Sequence, residues 1–274
     1  MIEARALSSN LFSKRNKALL RELVKTEFKL RYQNSVLGYA WSLLKPLGLF
    51  GVLYIVFTKI FRFGDAIPHF PIYLLLGIIL WTFFLEATMG ALSSIVTRGD
   101  LIRKIPFPKY IIVISGTISA LINLTLSLTV VIIFAVFSNI NFGPQVLLAP
   151  FFMLELYFFS LGVGLILSAL YVNFRDLSHI WEVLMQAAFY AIPIIYPLQL
   201  VMDASEKAAK LLMLNPVAQV VQDMRYSIVT KESVRTIDVV QMPLALIPYI
   251  AVLATLTLGA VYFRKRSRFF AEQI

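Results

Sequence analysis

Apolar runs longer than about 20 residues, the length needed to cross a bilayer, alternate along the chain with short polar breaks. Two of the runs, roughly residues 70–96 and 110–137, flank a basic island, Arg98-Gly99-Asp100-Leu101-Ile102-Arg103-Lys104-Ile105-Pro106-Phe107-Pro108-Lys109. Thr97 or Asp100 is suited to cap a helix of one to two turns there, and Pro106 and Pro108 to stop it. Four further runs make six predicted spans. The first covers about Leu37–Ile60, with Pro46 a kink and Trp41 near the inner interface. The fourth covers about Gln145–Leu170, and the sixth about Pro243–Phe263. The fifth starts near Ser178 and meets Pro193 and Pro197, which kink or end it. The expected fold is an all-α polytopic membrane protein, with residues 1–274 forming a single transmembrane domain.

Two regions are helical by pattern without being spans. In residues 14–32, Lys17, Arg21, Lys25 and Lys29 recur every four positions, while Leu19, Leu20, Leu23, Val24 and Phe28 hold the other face. That predicts an amphipathic helix lying on the membrane; a plain solvated helix is the competing reading. The second region is the connection between spans five and six, about Leu198–Gln241. Ser205 opens one helical stretch, which Asn215-Pro216 stops, and Asn215 caps a second, Val217–Val229, with Pro216 at its first position. Val217, Val220, Val221, Met224 and Ile228 fall on one face of that second stretch. The pair is expected as short helices, 205–214 and 216–229, that dip into the outer leaflet and return, the alternative being helices lying on its surface.

Charge then orients the spans. The segments assigned inside, 1–35, 97–109, 171–178 and 264–274, carry 17 Lys and Arg, against 7 in the outer segments 59–69, 138–144 and 198–242, with Lys45 inside a span. Both termini are thus expected in the cytoplasm, and the protein in the cytoplasmic (inner) membrane. The composition agrees: 59% of residues are apolar, where soluble domains average about 45–50%, and the mean hydropathy is +0.80. The net charge of +10 sits in loops and termini, a pattern that belongs to topology and anionic headgroups and not to nucleic acid. No polar block of domain size leaves room for a soluble catalytic unit. The N-terminal residues lack the short apolar core and cleavage site of a signal peptide, so none is expected to be removed.

The chemistry-bearing motifs are as telling. No G-x-x-x-x-G-K-[ST] phosphate loop and no nucleophile elbow occur. Without cysteine there is no thiolate metal site, and His69 and His179 fall on opposite sides of the membrane, so no metal site is expected. The ionisable residues within spans are Lys45, Glu86 and Glu155, with Glu182 near the inner interface; at such depth they mark a pathway or a pair. Lys45 and Glu86 sit about 13 and 15 Å from the inner ends of neighbouring spans. That matches a buried ion pair, unless Lys45 snorkels to the headgroups and Glu86 is protonated or faces a channel. Of 22 Phe, 12 Tyr and 3 Trp, most are lipid-facing filler. A subset, Tyr54, Phe57, Trp81, Phe84, Tyr190 and Tyr196, is suited to line a path for sugar, whose apolar faces stack on rings without strong fixed bonds.

Five segments in order resemble one family. They are Arg31-Tyr32-Gln33-Asn34-Ser35-Val36-Leu37-Gly38-Tyr39-Ala40-Trp41-Ser42-Leu43-Leu44-Lys45-Pro46, Lys104-Ile105-Pro106-Phe107-Pro108-Lys109, Asn173-Phe174-Arg175-Asp176, Pro193-Ile194-Ile195-Tyr196-Pro197 and Leu214-Asn215-Pro216. Together they are similar to the permeases of ABC-2-type polysaccharide exporters (O-antigen, capsule or teichoic acid). The resemblance implies a homodimer working with two separate ATP-binding subunits, which hold the ATP and Mg, so that this chain carries no cofactor. The cargo it implies is a lipid-linked glycan moved outward from the cytoplasmic leaflet. It also implies that residues 97–109 form a coupling helix seated on the ATP-binding subunit, with Asp100, Leu101, Ile102, Arg103 and Lys104 at the contact and Arg175 and Asp176 beside them. Leu101 and Ile102 are expected as the apolar plug and Arg103 and Lys104 as its charged surround. The short helices with Asn215, Pro216, Val220 and Met224 are expected as an outer gate. A same-fold exporter of a drug or simpler lipid, and a proton-coupled carrier, are the alternatives.

Overall fold

The computed structural model describes residues 13–32, 35, 37–38, 40–61 and 67–274. Outside the described residues lie 1–12, the motif positions Gln33, Asn34, Val36 and Tyr39, loop residues 62–66, and the side chains of Phe28, Leu30, Arg31 and Tyr32. The regular elements among the described residues are all helical.

Helix α1, Lys14–Tyr32, is the expected basic amphipathic helix. Gly38, with φ +48°, takes the left-handed turn that precedes α2, Ala40–Ile55. The span continues as one wider turn to Ile60. Helix α3, Phe70–Thr97, is the centre of the molecule: 78% of its most apolar stretch is buried, against 6% for the first span. It packs on α2, on α5 (Tyr110–Phe137) and on α6 (Ala149–Tyr171). At 28 residues it is about 42 Å long, so its ends overshoot a hydrocarbon layer of about 30 Å.

Helix α6 is also the bed for α12, Ile247–Arg266. A Cβ on Gly162 would lie 2.7 Å from the Leu256 nitrogen, and one on Gly259 2.5 Å from the Gly162 carbonyl oxygen. The two helices therefore touch backbone to backbone, the close approach that small residues permit between membrane helices.

Five helices among the described residues are long and apolar enough to cross a membrane: Ala40–Ile60, Phe70–Thr97, Tyr110–Phe137, Pro144–Tyr171 and Leu244–Arg266. The expected fifth of six spans is not among them. Helix α7, Leu177–Ala191, has 15 residues, about 22 Å, and ends where Ile192 turns extended before Pro193. The proline cannot donate its backbone nitrogen, so the helix stops short. After the irregular stretch 192–197 come α8 (Leu198–Ala204), α9 (Glu206–Met213) and α10 (Pro216–Ile228).

The caps read from sequence are present. The Ala208 N–H donates to Ser205 Oγ at 3.3 Å, and the Val217 N–H to Asn215 Oδ1 at 2.9 Å. Helix α10 is covered on all sides by protein: every residue from Pro216 to Ile228 is buried except half-buried Tyr226. It is enclosed by α3, α6 and its neighbours. The short helices α4 (Gly99–Lys104), α11 (Thr236–Val239) and α13 (Phe270–Gln273) complete the chain.

Candidate functional site

The basic island folds as expected into a six-residue helix, α4, although its cap position is Arg98 and no side chain caps it. Thr97 instead donates back to the Ser93 carbonyl at 2.6 Å. Asp100, Arg103, Lys104 and Ile105 face outward, and Leu101 is half-buried. Ile102 corrects the sequence reading. It is 7% exposed and packs inward with Ile95, Phe107, Phe263 and Phe270, so it serves this chain's own core and not a partner's groove. Ile105, 43% exposed, is the apolar side chain presented outward just after α4, where the backbone turns extended. Arg175 and Asp176, with Asn173 and Phe174, form a second exposed loop, in which the Arg175 guanidinium lies over the Tyr171 ring at 5.3 Å.

Two other parts of the chain brace α4. From α1, Glu27 accepts from Arg98 Nη2 at 2.7 Å, and Arg15 Nη2 donates to the Pro106 carbonyl at 2.8 Å. From the far end, α13 packs against α4. Phe270 is fully buried, edge-on to Phe263 at 5.4 Å. Lys109 lies over the Phe270 ring and donates to the Ser267 carbonyl; burial pulls the Lys109 pKa down, with Glu272 opposing. Helix α4 is thus tied to α1 and, through α13, to the last span.

A second polar assembly sits at the opposite end of α3. Arg225 of α10 is fully buried. It donates to the carbonyls of Pro193 (2.7 Å), Ile194 (2.6 Å) and Tyr73 (3.1 Å) and to Gln222 Oε1 (2.7 Å), with its guanidinium 3.5 Å from the Tyr73 ring centre. The Pro193 and Ile194 carbonyls are those left over where α7 breaks, so Arg225 closes the gap made by the proline. Burial lowers its pKa to about 10, which leaves it charged at neutral pH. Gly77 gives it room: a Cβ there would lie 2.6 Å from Arg225 Nη2. Next to it, Gln219 Nε2 donates to Asp223 (2.8 Å) and reaches Glu155 and Tyr249 at 3.4 Å. Asp223 also accepts the Thr236 N–H at 3.0 Å; burial raises its pKa, against those hydrogen bonds. Of this group only Glu155 stands out in the sequence, as an ionisable residue within a span. The available signal was the set of polar residues, Gln219, Gln222, Asp223 and Arg225, scattered around a helix with an apolar stripe. Val220 and Met224 are fully buried and Pro216 is buried, while Asn215 is exposed.

The expected sugar-path aromatics are not gathered on one surface. Trp81 and Phe84 are core residues at 5% and 4% exposure, Phe84 stacked on Phe159 at 5.6 Å and Trp81 against Phe189 at 6.1 Å. Tyr54 and Phe57 pack half-buried against that core. Tyr190 is exposed, and the Tyr196 hydroxyl donates to the Ala191 carbonyl at 2.9 Å, finishing the end of α7. Lys45 and Glu86 line one cavity, but among the described residues no ion pair joins them. Glu86 accepts instead from Asn123 Nδ2 at 3.2 Å, because α5 packs on α3 closely enough to reach it.

The family model described as ABC-2 type transporter matches residues 18–229, from α1 to just past α10. The chain belongs to the ABC-2 type transporter family. It is similar to the O-antigen export system permease protein RfbA of Myxococcus xanthus, 34% identical over 200 residues that cover 73% of this chain and 76% of that protein. Two O-antigen export system permease proteins RfbA of Klebsiella pneumoniae are 27% and 26% identical over 208 residues, 76% of this chain and 78% of each. Helix α4 and the Arg225 cage fall within the ABC-2 match, whereas Arg15, Thr236, Tyr249 and the tail helix α13 that packs on α4 lie beyond it.

Proposed function

We propose that this chain is the membrane subunit of an ATP-driven exporter that moves a lipid-linked polysaccharide from the cytoplasmic leaflet outward. The observation that carries the reading is the similarity, over about three quarters of both chains, to permeases named for O-antigen export. Two copies of the chain work with an ATP-binding subunit that holds ATP and Mg, and this subunit transports without catalysing hydrolysis.

The partner seats on Asp100, Leu101, Arg103 and Lys104 of α4 and on Ile105 just after it, beside Arg175 and Asp176. The braces from Glu27 and Phe270 pass its movement into α1 and the last span. Both termini lie in the cytoplasm of a cell whose inner membrane holds the protein. Helix α7, the break at 192–197 and α8 together make the fifth of six crossings. Helices α9 and α10 form a re-entrant outer gate, with Asn215 and Pro216 setting the start of its buried arm and Val220 and Met224 anchoring it.

Reconstituting the chain with its ATP-binding subunit in vesicles, and following a lipid-linked glycan across the bilayer, tests the reading. ATP-dependent translocation is the expected result. Transport by this chain alone, driven by a proton gradient, would overturn it.

A further inference from the structure

Between α2 and α3 lies a cavity of about 530 Å³, with Trp41, Ser42, Lys45, Thr82 and Glu86 among its walls. A recess of about 10 Å³, also lined by Ser42, Thr82 and Glu86, continues inward to Asn123 and Ser127. The larger volume is of the size that takes a small ligand or headgroup; the recess has room for about one water.

Lys45 is the unexplained member of this wall. It is exposed, and among the described residues no hydrogen bond or ion pair engages it. An exposed ammonium on an apolar span attracts whatever anion lies at its depth. Its depth narrows the choice. Lys45 is five residues past the start of α2 at Ala40, about 8 Å along the axis. That is near the boundary of hydrocarbon and headgroup, where lipid phosphates lie. Trp41, one turn earlier on the same face and 44% exposed, is the residue type that settles at that boundary. The deeper wall has the opposite character. Glu86, joined to Asn123 at 3.2 Å, repels a phosphate but accepts from hydroxyls, and Ser42, Thr82 and Ser127 add neutral hydroxyls. A ligand therefore enters with its anion at Lys45 and its hydroxyl-rich part inward.

We propose that the cavity between α2 and α3 binds the headgroup of a phosphate-bearing glycolipid, with Lys45 on the phosphate and the Glu86–Asn123 pair on sugar hydroxyls. The choice of a glycolipid over a common anionic phospholipid rests on the exporter reading above; the phosphate at Lys45 does not.

The full-length chain in neutral detergent, examined by native mass spectrometry, provides the test. The probes are a polyprenyl-phosphate-linked monosaccharide, the parent polyprenol without phosphate, and phosphatidylglycerol. The native chain should retain the phosphate-linked sugar and lose the polyprenol. Lys45→Met should weaken retention roughly 10- to 100-fold, the range of one charge-assisted hydrogen bond, while Lys45→Arg should stay within about threefold. Because no described residue pairs with Lys45, the melting temperature of Lys45→Met should match the native one, which separates lost binding from lost folding. Unchanged retention by Lys45→Met, or equal retention of the neutral polyprenol, overturns the site. Phosphatidylglycerol bound as tightly as the phosphate-linked sugar overturns the glycolipid assignment and makes the site one for bulk lipid headgroups. The exporter reading fails separately: it falls if the reconstituted complex moves no glycan while Lys45-dependent binding persists. Conversely, normal glycan flux with Lys45→Met retaining every probe removes the cavity and leaves the exporter.

Discussion

The two ends of α3 handle charge in opposite ways. At the Phe70 end, Arg225 is sealed from water and its donors go to the backbone carbonyls of two other segments and to a glutamine. At the Thr97 end, Arg98 meets the Glu27 carboxylate at 2.7 Å, with both side chains about one fifth exposed. A buried cation with no carboxylate on it fixes geometry, because any movement leaves polar groups unpaired in a medium that cannot rebond them. An ion pair that keeps a fifth of its surface in water can reopen toward solvent at smaller cost than a sealed one. The first arrangement suits a joint that holds α10 to the break after α7. The second suits a contact that a partner's movement can shift.

The largest effect should come from breaking the rigid end. Arg225→Met strands three buried carbonyls and Gln222, and should cost about 3–5 kcal/mol at roughly 1–3 kcal/mol for the worst of them. Arg225→Lys should recover less than half, since an ammonium cannot span carbonyls that a planar fork reaches together. Thermal unfolding in detergent reads both. A loss under about 1 kcal/mol for Arg225→Met would show that the cage is not what holds α10.

The brace on α4 should come next. Phe270→Ala empties a fully buried site against Phe263, a change worth about 3–5 kcal/mol in a continuous core. Here the four-residue α13 can come away locally and cap the loss at about 2–3 kcal/mol. The expected signature is therefore local: faster hydrogen exchange at Ile102 and Phe107, and weaker coupling of ATP hydrolysis to transport, with little change around Arg225. Slowed exchange, or loosening of α10 as well, would count against a separate inner brace.

These contrasts also mark what was legible in the sequence. Run length located the long spans because hydrophobic thickness acts on each segment by itself. Ser205 and Asn215 announced their helices because a cap is a contact within four residues. Arg225 was invisible as a joint: its partners Tyr73, Pro193 and Ile194 are distant in sequence, and a carbonyl freed by a proline leaves no residue-type signal. Ile102 was misassigned for a related reason. A six-residue helix has too few turns for its apolar side to be told from its docking side, and the side is decided by Phe270, far along the chain. The expected Lys45–Glu86 pair failed similarly, because equal depth on neighbouring helices does not fix rotation, and Asn123 of α5 reaches Glu86 first.

The soft end can be measured directly. Glu27→Gln and Arg98→Gln should each cost about 1 kcal/mol or less, and the double variant should cost less than the two losses added. Arg98 Nη1 also reaches Ser115 Oγ at 3.4 Å, so Arg98→Gln should be the worse single change. Additive losses would mean that the two charges are neighbours without being coupled.

The smallest effect tests whether burial or charge pairing makes the Arg225 end rigid, because that end carries a control of its own. Arg235 holds Asp238 through Nη2 to Oδ1 at 2.8 Å and Nε to Oδ2 at 3.0 Å, a two-pronged contact with a full carboxylate. By pairing chemistry alone it should outweigh Arg225, which touches only neutral acceptors. Yet both side chains are more than 40% exposed, and exposed pairs contribute about 0.2–1 kcal/mol. The Arg235 hydrogen bonds hold the Asp238 pKa below its ordinary value against slight desolvation. A carboxyl lowered on folding adds stability that is present above its unfolded pKa, about 3.9, and is lost as pH falls through the lowered folded value. Asp238→Asn should therefore cost a few tenths of a kcal/mol at pH 7, in the range of exposed pairs, and nothing further at the acid end, where the native chain loses the same increment. A cost at pH 7 matching that of Arg225→Met would refute the view that exclusion of water, and not the carboxylate, sets the strength of each joint.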